Sequence, residues 1–404
     1  MVTARSTTES NPPFVGKAFP TPRLLIFDMT RIGDGTATGE IKANIIGGWE
    51  RSSLLQVYAT GDSQIGLFGA GVESPRIGDV DVATSAIAAF EPDVILYRPV
   101  PDTPVLHALA MQTIRADPQA PLVTWIMDDW PARLEAENPE EFARLNSDWL
   151  WLLQRSLLRL SIGERMSDAF LRRYGVPFQE FANGVDPADW PLPWRGKSNG
   201  EFVVRYAGAL ASNMTAQSVL RVARAVEELA DEGQRIRMEI RTRKLWRDRQ
   251  YHHYAKLRHT QLVIDQLPAA EYRKWLQQAG ALVIGYNFDE ESLRYVGLSI
   301  ANKLPECLAS GAPLIAHGPE QAATIRYLKD QKCAEVIDQP DTAALRNSLI
   351  KLISDHEYRK ALSDRARNAA FSNHNLNEIR ERFAMTISSI ADKEARNPMG
   401  TAIL

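Results

Sequence analysis

The chain has little cysteine, no long apolar run and no excess of one charge. Among its 404 residues only Cys307 and Cys333 carry a thiol, too few for a disulfide framework, and no C-x-x-C or His/Cys cluster offers zinc spacing. Both cysteines are expected in the core as small apolar residues, as a reducing cytoplasm permits. No segment approaches the ~20 apolar residues of a membrane span. The 47 Lys and Arg against 50 Asp and Glu leave a net charge of -3, which gives no electrostatic reason to expect nucleic acid. The opening residues, MVTARSTTESNPPFVGKAFPTPR, lack the apolar stretch of a signal peptide and read as a mobile arm over residues 1–22.

What is present is an α/β pattern, repeated. Hydrophobic content of 45% and charged content of 24% suit a globular protein, and the length suits two domains. Leu24 to Asp28 (LLIFD) is a short apolar strand, followed by the loop RIGDGTATG and a helix-like run from Glu40 to Leu55. Strand, Gly-rich loop and helix open a doubly wound domain. Further strands are predicted at Val94 to Tyr97 and Leu122 to Met127, with helices at Val82 to Ala89, Pro104 to Arg115 and Pro139 to Leu158. This alternation predicts a parallel sheet with covered faces.

Around Pro187 to Gly200 the composition changes to PADWPLPWRGKSNG, read as an interdomain linker. A second α/β pattern follows. Strands are expected at Phe202 to Tyr206, Ile236 to Arg241, Gln261 to Ile264 and Ala281 to Ile284, helices at Thr215 to Glu232 and Pro268 to Ala279, and a mostly helical tail from Thr342 to Asp392. The fold class is therefore α/β, with two Rossmann-like doubly wound domains facing across a cleft. Its expected parts are an N-terminal domain at 23–186, a linker at 187–200, a C-terminal domain at 201–375 and a helix with tail at 376–404 that packs back on the first domain.

The segment Ser299 to Gly318, SIANKLPECLASGAPLIAHG, carries the best functional clue. It reads as a short helix running into a buried strand, with Asn302, Lys303 and Glu306 at the helix start. A helix start offers free N–H groups and the positive end of a dipole to a phosphate. A carboxylate one turn in can accept hydrogen bonds from two neighbouring sugar hydroxyls. Lys303 adds a cation beside that helix start. Arg241, Arg243 and Lys244, at the end of a strand, are further cations for a phosphate-bearing ligand, with a solvated basic face as the plainer meaning.

Other residues are candidates for the acceptor side. Asp128 and Asp129 follow a buried strand, and either could orient or deprotonate an acceptor hydroxyl; capping the next helix is the alternative. Trp130 offers an apolar wall for a sugar ring. Gly33, Gly35 and Gly39 allow close backbone approach to a ligand, or simply a tight turn. Asp102 is a weaker version of the Asp128 idea. Asn183 is expected to cap or bridge near the hinge, and His107 and His317 to be structural. Asp289, Glu290 and Glu291 fit a polar loop or donor sugar hydroxyls. The run Trp149 to Leu153, with Arg155 and Arg159 after it, reads as core packing ahead of a membrane-interface contact.

Four motifs together resemble a glycosyltransferase of the two-Rossmann-domain type, the GT-B fold, and more narrowly the family-4-like (group 1) enzymes. They are the loop ending GDGTATG, FANGVD at Phe181 to Asp186, RYAGAL at Arg205 to Leu210, and NKLPECLASGAPLIAHG. The resemblance implies transfer from a nucleotide diphosphate sugar, often retaining and without a bound metal or other cofactor. It places Glu306 on the donor ribose, and Ser299 and Lys303 in the S-x-x-x-K-x-x-E variant that clasps the diphosphate. The chain departs from the family in two places. Leu298 stands where many members have a second glutamate, and the loop after Gly208 (ALASNM) has no cation. By analogy the expected partners are a nucleotide sugar and a glycan or lipid-linked acceptor, in surface or extracellular polysaccharide synthesis at the inner face of the membrane. A non-catalytic nucleotide-sugar or glycan-binding protein and a nucleotide-sugar epimerase remain as alternatives.

Overall fold

The structure, a computed structural model, describes residues 21–60, 64–191, 194 and 200–392, the side chains of 72–77 excepted. Residues 1–20 of the expected arm, the linker positions 192–193 and 195–199, and the tail beyond 392 lie outside the described residues. The chain divides into two compact units: Met1–Trp125 with Arg155–Leu158 and Glu378–Leu404, and Ile126–Gln154 with Arg159–Asn377.

In the first part of the chain the elements are β1 (Leu24–Asp28), α1 (Ala37–Ile46), β2 (Leu54–Ala59), β3 (Ile65–Gly69), β4 (Val72–Gly78), α2 (Val80–Phe90), β5 (Val94–Tyr97), α3 (Pro104–Ala116) and β6 (Leu122–Trp125). There follow α4 (Trp130–Glu137), α5 (Pro139–Arg155), β7 (Leu158–Ser161), α6 (Glu164–Tyr174) and β8 (Gln179–Glu180). The second pattern has β9 (Phe202–Ala207), α7 (Ala216–Asp231), β10 (Ile236–Arg241), α8 (Lys244–Tyr254), β11 (Thr260–Val263), α9 (Ala269–Gln277), β12 (Ala281–Gly285), α10 (Glu290–Val296), α11 (Leu304–Ser310) and β13 (Leu314–His317). The chain closes with α12 (Ala323–Asp330), β14 (Glu335–Ile337), α13 (Thr342–Ser354), α14 (His356–Asn373) and α15 (Leu376–Ala391).

The first unit holds strands in the order β4-β3-β2-β1-β5-β6. Strand β1 is buried along its whole length, as a central parallel strand covered on both faces must be. The expected helix from Glu40 to Leu55 is shorter than the sequence suggests. Helix α1 stops at Gly47, and Leu54–Ala59 is β2, parallel to β1. The wholly parallel sheet is also corrected here, because β3 runs antiparallel to both β2 and β4. The connection from Ala59 to Ile65 is too short for a parallel crossover and can only make a hairpin. From Glu378 onward α15 belongs to this unit, with Phe383 packed on Trp125 and Trp49 at ring distances of 5.9 and 6.2 Å.

The second unit contains a sheet in the order β11-β10-β9-β12-β13-β14, with every pair parallel. Alternate residues of its strands enter two separate cores. Leu282, Ile284, Leu314 and Ala316 face one, while Ala281, Val283 and Ile315 face the other. This two-residue period with apolar layers on both sides is the doubly wound arrangement. The unit also contains α4, most of α5, and the parallel pair β7 and β8. Helix α5 ends at Arg155, before the Leu158 expected. Trp149, Leu152 and Leu153 are buried while Leu150 is exposed and Trp151 half-buried, so the run packs one face into the core. The polar stretch before the donor segment is ordered as α10, capped by Asp289, which accepts from the Ser292 N–H at 2.8 Å. No described helix is long and apolar enough to cross a membrane.

Candidate functional site

In an open α/β sheet, ligands bind beyond the carboxyl ends of the strands, where the strand order reverses. In the second sheet that point lies between β9 and β12. The residues singled out in Ser299 to Gly318 gather there. Lys303 Nζ donates to the Ala207 carbonyl at the end of β9 at 2.6 Å and lies 4.1 Å from the Tyr206 ring centroid. Gly208 has φ +151, and a Cβ there would stand 2.6 Å from Lys303 Nζ. Glycine is thus required both by the backbone conformation and by the approach of the ammonium. The loop after Gly208 has no cation of its own, yet Lys303, almost a hundred residues later, brings one to it.

Glu306 sits in the first turn of α11, half-buried, one turn beyond Lys303. Burial, then the charge of Glu306, pushes the Tyr272 phenol up. Burial, eased by Lys303 and reinforced by Glu306, raises the buried Cys307 thiol to about 12, so this cysteine is an inert core residue. Asn302 presents its main-chain carbonyl to Asn183 Nδ2 at 2.8 Å, while its own Oδ1 is buried and accepts no hydrogen bond from the described residues. Ser299 Oγ donates to the Met127 carbonyl at 3.3 Å, which ties the segment before α11 to the strand end that leads into Asp128 and Asp129.

The N-terminus of α7 also opens at this edge, but it is already occupied. Asn287 Oδ1 accepts from the N–H groups of Gln217 and Ser218 at 3.0 and 3.2 Å. The cap comes from a residue distant in sequence, because the helix's own Thr215 makes no side-chain cap. Local patterning could not show this.

Arg241 and Arg243 are partly committed. Arg241 donates to the Asp265 carboxylate at 3.0 Å and rests on the Trp275 ring at 5.2 Å. Arg205 covers the same ring at 5.0 Å, and Tyr272 stacks on it at 6.0 Å. Arg243 stands exposed at the N-cap of α8.

Two acceptor-side expectations are corrected. Asp129 is buried and clasped by Arg173 through two contacts, of 2.7 and 2.8 Å, and it also caps α4. Its bond to Arg173 raises that guanidinium well above its usual range. A carboxylate held this way, with both oxygens engaged by one guanidinium, is a brace. Trp130 is only 3% exposed and packs edge-to-face on Trp149 at 5.5 Å, so it is core and no wall for a sugar. Its place at the start of α4 turns it inward. Asp128 stands half-buried beside them.

The first unit has its own cluster at the corresponding point, between β1 and β5. Buried Asp28 is paired with Lys42 at 2.6 Å and Arg98 at 3.1 Å. Lys42 Nζ also donates to Thr30 Oγ1 at 2.9 Å, and Gln56 bridges the Thr30 carbonyl and the Ile32 N–H, each at 2.9 Å. Burial lowers Lys42 to about 8, although Asp28 opposes it. Burial would raise Asp28, but Arg98 and Lys42 prevail and hold it low. These side chains fix the start of the loop carrying Gly33 and Gly35. Both glycines are exposed with positive φ, of 67 and 77, so the turn requires them. Gly39 is needed for packing, since a Cβ there would lie 2.1 Å from Asp34 Oδ1.

His317 and His374 are buried, and burial lowers both to about 4. His107 pairs with the Tyr97 hydroxyl at 2.7 Å. Among the described residues the one His/Asp/Glu group close enough to share a metal is Glu227, Asp231 and His259. There Glu227 already accepts from the main-chain N–H groups of Arg258 and His259 at 2.8 Å each, so its oxygens are engaged in holding the chain. A hollow of about 800 Å³ in the first unit is lined by Arg23, Asp81 and Phe90 among others. Arg23 precedes β1, which puts this hollow by the amino ends of the strands, away from Asp28.

No protein-family model matches the chain, and no curated protein does. Its structure is similar to that of an α,α-trehalose 6-phosphate synthase from Burkholderia multivorans, with 10% identity, a TM-score of 0.64, and coverage of 92% of this chain and 100% of that one. It is similar to a glycosyltransferase from Rickettsia africae, with 12% identity, a TM-score of 0.61, and coverage of 92% and 98%. A third similar structure is S. aureus TarM in complex with fondaparinux, α-GlcNAc-glycerol and UDP, with 11% identity, a TM-score of 0.58, and coverage of 82% and 62%. At such low identity these likenesses establish architecture, and this chain has the GT-B glycosyltransferase fold, built on two Rossmann-like sheets.

Proposed function

We propose that the protein is a glycosyltransferase that moves a sugar from a nucleotide diphosphate sugar to a glycan or lipid-linked acceptor. The observation that carries this reading is the placement of Lys303 against Gly208, one turn from Glu306, at the switch point of a Rossmann-like sheet. When the bond from sugar to phosphate breaks, negative charge grows on the departing diphosphate. An ammonium fixed in advance stabilises that charge without reorganisation. Lys303 gives one proton to Ala207 and has two others for phosphate oxygens. Glu306 accepts from the ribose hydroxyls. Asp128 serves the acceptor hydroxyl, held in place by the Asp129–Arg173 brace.

The finer parts of the reading rest on the family resemblance. They are retention of configuration, chemistry without a bound metal, and work in polysaccharide assembly at the cytoplasmic face of the membrane. The donor is assigned to 201–375 and the acceptor to 23–186.

The test is a thermal-shift screen with UDP, GDP, ADP and dTDP, because a ligand bound to the native state raises stability by mass action. UDP comes first, since similar structures are described as UDP-forming or hold UDP. Nucleotide release from the matching sugar donor, dependent on acceptor, is the expected result. Affinity without sugar release would make this a binding protein, and conversion of the donor with no acceptor would make it an epimerase.

A further inference from the structure

Helix α11 does not fix its own start. It has 7 residues, and Lys303 at its N-cap makes no side-chain cap. A helix so short takes its stability from tertiary contacts. Here those contacts come from α12. Thr324 stands in the first turn of α12 and is fully buried. A threonine in a helix commonly turns its hydroxyl on nearby backbone, but all the partners of Thr324 Oγ1 lie outside α12. It accepts from the Ala301 N–H at 2.9 Å, donates to the Ser299 carbonyl at 3.4 Å and meets the Tyr286 hydroxyl at 3.4 Å. A hydroxyl has one proton and two lone pairs, so these contacts use it completely.

The consequence falls on Lys303. The Ala301 carbonyl accepts from the N–H of Leu304, the first residue of α11, at 2.9 Å. The hydroxyl that holds the Ala301 N–H thereby holds the peptide from which the helix starts. A second route leaves the same helix. Tyr327, one turn after Thr324, meets His374 Nε2 at 3.0 Å, His374 Nδ1 faces the Asn183 carbonyl at 3.2 Å, and the Asn183 amide donates to the Asn302 carbonyl at 2.8 Å. Ala301 and Asn302 are thus both tied to α12, by separate chains of hydrogen bonds, and Lys303 is the next residue. Packing alone would be served better by valine, which has the shape of threonine and no hydroxyl to desolvate.

We infer that Thr324 is a positioning residue: its hydroxyl sets where α11 begins and so holds Lys303 against Gly208. The effect on turnover rests on the proposed activity, whereas the effect on α11 does not.

The test compares Thr324→Val, which keeps the shape and loses the hydroxyl, with Thr324→Ser, which keeps the hydroxyl. Thr324→Ala takes the place of the valine variant if that one does not fold. Amide hydrogen exchange is read by mass spectrometry on the full chain. Over residues 299–310 it should be about tenfold faster in the valine variant, with α7 unchanged, and as in the parent for the serine variant. Turnover is the second readout, with the donor selected by the thermal-shift screen. The valine variant should lose about tenfold in kcat with a smaller loss in UDP affinity, and should add nothing to Lys303→Met. Unchanged exchange over 299–310, an equal rise over α7, a serine variant that exchanges like the valine one, or a full further loss on top of Lys303→Met would each overturn the inference. A parent chain without turnover would sink the proposed activity alone, and hydrogen exchange would still decide how α11 is held.

Discussion

The side-chain amide of Asn183 donates to the main-chain carbonyl of Asn302 at 2.8 Å. The carbonyl of Asn183 in turn faces His374 Nδ1 at 3.2 Å, and His374 Nε2 meets the Tyr327 hydroxyl at 3.0 Å. A residue 119 positions upstream thereby fixes the backbone just before Lys303. Asn183→Ala removes one buried hydrogen bond, worth about 1 kcal/mol. Nucleotide diphosphate affinity should fall about fivefold, with Asn183→Asp recovering little because it cannot donate. Calorimetric titration of both variants checks this, and unchanged affinity would separate Asn183 from the site.

Glu306 is assigned to the ribose. Hydrogen bonds to a charged group are worth about 1.5–3 kcal/mol, so Glu306→Ala should weaken nucleotide binding roughly 10- to 100-fold. The melting temperature without ligand should hold, since the side chain is only half-buried at the start of α11. The same titration is the readout.

Lys303 should matter more to turnover than to binding, because the diphosphate gains charge only as the bond breaks. Lys303→Met is expected to lower kcat about 100-fold, with a smaller change in affinity for a donor analogue. Gly208→Ala should reproduce part of that loss, as the new Cβ would lie where the ammonium sits. Steady-state rates measured beside analogue binding decide the matter, and equal effects on both would make Lys303 a plain binding residue.

The neighbouring acids should part company. Asp129→Asn breaks the paired contacts with Arg173 and should cost about 1.5–3 kcal/mol of stability, seen as a lower denaturation midpoint. Asp128→Asn should keep that midpoint and reduce turnover. The reverse pattern would return the proton-accepting role to Asp129.

Two buried histidines set the acid limit. Burial lowers His317 and His374 to about 4 from an ordinary 6.5. Between those values the unfolded chain binds more protons than the native one, so stability is present above 6.5 and is lost as pH falls through about 4. Each group contributes up to about 3 kcal/mol across that window. Urea unfolding at several pH values should show the loss, and a His317→Asn, His374→Asn variant should show a flatter curve.

Much of this was legible in the chain. The strands LLIFD and VILY lie where their apolar runs put them, because a central parallel strand must be apolar on both faces, and Ile236–Arg241 lies where its two-residue alternation put it. The segment around Lys303 and Glu306 showed its helix, its glycine stop and its strand through local spacing alone. Burial was harder to read. Trp130 looked like a platform and Asp129 like a base, since neither Trp149 nor Arg173 is near them in sequence. The hairpin of β3 and β4 was missed because its strands lack a long apolar run.

By itself, then, the sequence determined the two α/β repeats, the helix and strand of Ser299–Gly318 and the want of a cation after Gly208, all of which are matters of composition and near-neighbour spacing. Only the tertiary structure decided that Lys303 fills that want, that Asn287 closes α7, and that Arg173 takes Asp129 out of contention. Such pairings join residues tens of positions apart. They depend on which strand ends lie side by side, and the parallel crossover connections set that without leaving a local mark in the sequence.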